Sequence, residues 1–102
     1  MNKAGGFITL HRKMTEWEWY KDANTKALFL HLLLTANFAD TRFLGKLIKR
    51  GQVVTSFPSL ASETGLSIQN VRTALKHLIS TGEVTDKSTR QYRIITVVKY
   101  DE

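Results

Sequence analysis

The chain has 102 residues, 42% of them hydrophobic, enough for one domain with a modest core that needs neither metal nor crosslinks. It contains no cysteine, which excludes disulfides, thiolate metal sites and thiol nucleophiles; with no recognisable signal segment it reads as a protein of the reducing cytoplasm. The net charge is +6 and unevenly placed: residues 1–41 hold five basic and four acidic residues, whereas residues 42–100 hold ten basic against three acidic ones, a balance of +7.

Taken in chain order, Gly5-Gly6 ends a polar start, and Phe7 to His11 alternates apolar and polar as a half-buried strand does. Trp17, Trp19 and Tyr20 follow in a segment that fits one helical turn. They carry two readings, cover for the core or an aromatic surface for self-association. Asp22 or Asn24 can cap the next element, a helix from Thr25 to Ala39 that is apolar nearly all round and so belongs at the centre of the core. Its apolar run, Ala27 to Leu34, is interrupted by His31 and falls far short of the roughly 20 residues that cross a bilayer, so no membrane partner is expected. His31 itself reads as a satisfied core or interface histidine.

Residues 42–55 read as a hairpin or extended pair: Phe43, Leu44, Leu47 and Ile48, a turn near Lys49-Arg50-Gly51, then Gln52 to Thr55. Residues 56–82 read as two helices joined by a tight turn. Ser56 caps the first, with Pro58 in its first turn, where a missing N–H costs nothing. Gly65 can take the left-handed backbone that ends a helix, and Ser67 can cap the next one. With Ser67 as cap, Leu66 and Val71 occupy the two positions of a hydrophobic staple. Val71, Ala74, Leu75 and Leu78 then form the buried stripe, leaving Gln69, Asn70, Arg72, Thr73, Lys76 and His77 largely outward. Residues 83–100 read as a second hairpin, with a polar tip at Asp86 to Gln91 and a strand from Tyr92 to Tyr100.

The order helix, turn, polar helix, hairpin predicts an α+β fold of the winged helix-turn-helix type. It would hold three or four helices, a small antiparallel sheet and a C-terminal β-hairpin wing within one domain, residues 1–102. In that arrangement Ser67, Gln69, Asn70 and Thr73 would face bases in the major groove of double-stranded DNA, with Arg72 and Lys76 on bases or phosphates. Lys87 and Arg90, at the tip of the wing, would touch phosphates or the adjacent minor groove. The concentration of basic residues in this half of the chain fits a surface that neutralises phosphates. The competing class is a protein-interaction module that uses the same scaffold.

Several stretches together resemble the N-terminal winged-helix domain of phage replisome organisers and related DnaD-type primosomal proteins. These are GFITLHRKM, the leucine-rich helix ending TANFAD, GQVVTSFPSLASETGLSIQNVRTALKHLISTGEV, and the strand RIITVVKY. The most recognisable pieces are Gly51-Gln52 with Thr55-Ser56, Leu60-Ala61, Gly65-Leu66-Ser67, Val71-Arg72, Ala74-Leu75 and Gly82. The second half of this pattern is shared with many bacterial winged-helix transcriptional regulators. The resemblance implies DNA binding at an origin or primosome in replication initiation, contact with other replication proteins in helicase loading, and self-association. Family members usually continue into a second helical domain.

No metal or other cofactor is implied, because His11, His31 and His77 lie far apart in sequence without further ligands at metal spacing. No nucleophile elbow, glycine-rich phosphate loop or paired-carboxylate pattern points to an enzyme.

Overall fold

The structure, a computed structural model, describes residues 8–100. Asp22 begins the first long helix, α1 (Ala23–Thr35), its carboxylate accepting the Thr25 N–H at 3.0 Å. The helix stops four residues short of the expected Ala39 because the chain leaves it to dock on the sheet. Ala36 is extended, Asn37 donates its N–H to the Gln52 carbonyl, and its own carbonyl accepts from Gly51.

Two further helices follow, α2 (Phe57–Thr64) and α3 (Ile68–Ser80). Ser56 caps α2 by accepting the Ser59 N–H, and Ser67 caps α3 by accepting the Asn70 N–H at 3.0 Å. Between them Gly65 sits at φ +80, the left-handed conformation that ends α2. Val71 is fully buried and Leu66 packs on the same cluster, as the staple requires.

Five short strands are found among the described residues: β1 (Thr41–Phe43), β2 (Lys46–Ile48), β3 (Gln52–Thr55), β4 (Val84–Ser88) and β5 (Arg93–Val97). They form a β1–β2 hairpin and an antiparallel sheet of order β3-β5-β4. Leu28 and Leu32 of α1, with Ala36 just past its end, meet Leu60 of α2, the Val71, Ala74, Leu75 and Leu78 stripe of α3, and Val84, Ile95 and Val97 of the sheet in a single buried cluster. The described residues therefore form an α+β unit with three α-helices on small antiparallel sheets. No helix among the described residues is long and apolar enough to cross a membrane.

Three expectations are corrected. No strand forms over Ile8 to His11; Phe7 lies outside the described residues. There His11 Nδ1 accepts the Lys13 N–H at 3.0 Å and turns the chain into a 3-10 segment, Arg12–Glu16. Residues 42–55 do not fold back as one hairpin. The reversal comes earlier, at Leu44-Gly45, so β2 pairs with β1, and the turn at residues 49–51 delivers the chain into β3, which pairs with β5. Gln52 holds that second turn, its Oε1 accepting from the Lys49 N–H at 2.8 Å and its N–H donating to the Lys49 carbonyl. Finally, His77 does not face outward: its ring stacks on Trp19 at 4.2 Å, and its Nδ1 lies 2.8 Å from the buried Thr25 hydroxyl.

Candidate nucleic-acid interface

With its apolar stripe fixed against α1, α3 presents the opposite side to solvent. Gln69, Arg72, Thr73 and Lys76 follow one another at i, i+3, i+4 and i+7 on that side and are all exposed. Gln69 leans along the helix, its amide nitrogen 3.4 Å from the Thr73 hydroxyl. Asn70 lies on the flank of this row and Ser67 at its start, where both are exposed. The helix thus carries amide, hydroxyl and cationic groups over about three turns with no acid among them.

Beside the start of α3 stands the β4–β5 hairpin. Its turn is tied by Thr89, whose hydroxyl accepts the N–H groups of Gln91 and Tyr92 and whose own N–H meets the Tyr92 carbonyl at 2.7 Å. Arg90 is exposed in this turn, whereas Lys87, expected at the tip, is exposed within β4 opposite Ile94. A cleft of about 320 Å³ separates the turn from the first residues of α2 and α3, and Arg72, Arg90 and Arg93 all line it. Lys87, Lys76 and the remaining predicted α3 residues lie outside the cleft.

Phe57, the first residue of α2, organises the cleft. The Arg93 guanidinium lies 4.0 Å from its ring centroid and that of Arg72 lies 4.7 Å away. Both guanidinium groups thus use one ring, and since the Asp86 carboxylate offsets the charge of Arg93, the excess positive charge of the cleft comes from Arg72 and Arg90. Asp86 pairs with Arg93 through one carboxylate oxygen, while its other oxygen is buried without a hydrogen-bond partner. Arg93 and Phe57 are site residues that the sequence pattern alone does not single out. Their signal was an arginine directly after the hairpin turn and an aromatic directly after the Ser56 cap, meaningful only once the two are known to meet.

Trp17, Trp19 and Tyr20 of the N-terminal segment are engaged within the chain. Trp17 donates its indole N–H to Glu83 at 3.1 Å and packs on Phe29, their centroids 5.0 Å apart. Trp19 donates to the Thr81 hydroxyl at 2.9 Å, and the Tyr20 ring lies beneath the Lys26 ammonium at 4.2 Å. All three are half-buried, and together they fasten the N-terminal segment over α1 and the α3–β4 connection.

Asp22, at the same junction, has its carboxyl pKa held below the usual value, chiefly by the Thr25 N–H it accepts. Burial opposes that shift, and the nearby His77, 3.4 Å away, adds to it. His31 Nε2 lies 2.8 Å from the Glu63 carboxylate, which links α1 to α2 at the surface. A larger cleft of about 480 Å³ runs between the N-terminal segment, α1 and the end of β5, and none of the residues predicted from the sequence line it.

No family model, curated protein or solved structure matches this chain.

Proposed function

We propose that this chain is a non-enzymatic winged-helix module that binds double-stranded DNA, with α3 entering the major groove and the β4–β5 hairpin serving as the wing. The observation that carries the reading is the convergence of Arg72 of α3 with Arg90 and Arg93 of the hairpin around Phe57. A phosphate running between recognition helix and wing would meet Arg72 and Arg90, while Asp86 offsets the charge of Arg93. Ser67, Gln69, Asn70 and Thr73 are short or amide side chains suited to base edges, while Arg72, Lys76, Lys87 and Arg90 are suited to phosphates.

Four such phosphate contacts would give log Kd a dependence on log salt of about 3.6 in slope. The setting we propose, DNA replication initiation, rests on the resemblance to replisome organisers. The test is selection of duplexes from a random pool, followed by titration of the enriched duplex at two salt concentrations. Saturable binding that weakens steeply with salt is expected. Binding that is absent, or independent of salt, would overturn the reading.

A further inference from the structure

The β1–β2 hairpin departs from local preference in a way that packing does not explain. Phe43 pairs with Lys46, so the loop is the two residues Leu44-Gly45, and both have positive φ, +50 and +80. A two-residue loop with both φ positive favours Asn-Gly or Gly-Gly, because a bulky side chain is strained there. Leucine occupies the position, and it is 71% exposed. Neither its backbone nor its burial stabilises the fold, the kind of local inconsistency that marks a functional position.

The surroundings of the loop indicate what the leucine meets. Residues 40–62 contain Arg42, Lys46, Lys49 and Arg50 against one acid, Asp40, whose carboxylate accepts the Arg50 N–H at 2.9 Å beyond the hairpin. The Arg42 guanidinium donates to the Gly45 carbonyl at 2.7 Å, which holds a positive charge beside the tip. Phe43, next to Leu44, meets Tyr92 edge-on with centroids 5.3 Å apart. Tyr92 closes the β4–β5 turn and lines the cleft with Arg72 and Arg90. The β1–β2 tip therefore adjoins the wing at the basic cleft.

We propose that the β1–β2 hairpin is a second DNA-contacting ribbon, whose Leu44 wedges between base steps in the minor groove while Arg42 and Lys46 hold the flanking phosphates. The inference rests on the DNA-binding reading of α3 and the wing. An exposed leucine between basic side chains is the chemistry by which minor-groove proteins unstack a base step and kink the duplex. A second copy of the chain suits the ribbon less well. Self-pairing would bring Arg42 and Lys46 of both copies together with no acid in either hairpin between them.

The test uses the full chain and an end-labelled duplex of about 30 base pairs with a flexible TA step at its centre, read by energy transfer for bending. Wild type should bend it by at least about 20°. Leu44→Asn, which suits the positive φ and should keep or raise Tm, should leave the duplex unbent. Arg42→Ala with Lys46→Ala should lower the log-log salt slope by about 1.8. Unchanged bend and slope in these variants, with Arg72→Ala still weakening binding, would overturn the ribbon and leave the α3 reading standing. No duplex binding by wild type would remove both. A Leu44→Asn variant whose sedimentation mass halves while its duplex remains bent would make the tip a contact between copies and overturn the proposal.

Discussion

Replacing Gly65 by alanine isolates the physics of the turn between α2 and α3. Gly65 has φ +80 and ψ 8, and its N–H donates to the Ala61 carbonyl at 2.9 Å. A Cβ built there meets nothing within 4 Å, so no steric clash contributes and the cost lies in the backbone alone. A left-handed L-residue costs roughly 1–2 kcal/mol, and the stiffer unfolded chain returns about 0.4–1 kcal/mol of that. A net loss near 1 kcal/mol lowers Tm by about 4–8 °C in a domain of this size. Gly65→Asn, whose side chain tolerates the left-handed region, should lose clearly less. Thermal unfolding followed by far-UV circular dichroism measures all three proteins. An unchanged Tm in Gly65→Ala, or equal losses in the two variants, would refute the claim that left-handed backbone sets this turn.

Trp19→Phe keeps a ring on His77 but removes the indole N–H that meets Thr81. Urea unfolding should show a loss of about 1 kcal/mol, with duplex affinity unchanged. Leu78→Ala empties a fully buried site in the cluster shared by α1, α3 and the sheet, and the same assay should show a loss of about 2–5 kcal/mol. Asp22→Asn tests linkage: the folded carboxyl titrates below its ordinary 3.8, so its stabilisation is present above that pH and is lost as pH falls through the lower folded value. The variant should therefore be less stable than wild type at neutral pH, with the gap closing below about pH 3.8 when stability is measured across pH.

The features legible in the sequence were those decided within a few residues. Asp22, Ser56 and Ser67 cap their helices through side chains that reach N–H groups three residues on, a chemistry independent of the rest of the chain. The α3 stripe followed from helical spacing alone. The β1–β2 reversal is not legible in the sequence because leucine does not signal positive φ, whereas Lys49-Arg50-Gly51 carries the glycine that does. His77 was misplaced because its position on the rim of the apolar stripe left its facing to Trp19 and Thr25, which lie more than fifty residues away. Trp17 and Trp19 stayed open for the same reason, their partners Glu83 and Thr81 being brought near only by the tertiary fold. At the candidate interface, the basic balance and the polar face of α3 were visible. The meeting of Arg72 and Arg93 on Phe57 joins two helices and a strand, and local pattern carries no record of it.

The most direct test of the DNA-binding claim is the salt dependence of duplex affinity for wild type and for the variant carrying both Arg72→Ala and Lys76→Ala. Measured by anisotropy with a labelled duplex, the variant should bind more weakly at low salt, and its log-log slope should be smaller by about 1.8, two phosphate contacts having been lost. A variant that folds as wild type does and keeps the same affinity and slope would contradict the placement of α3 on DNA.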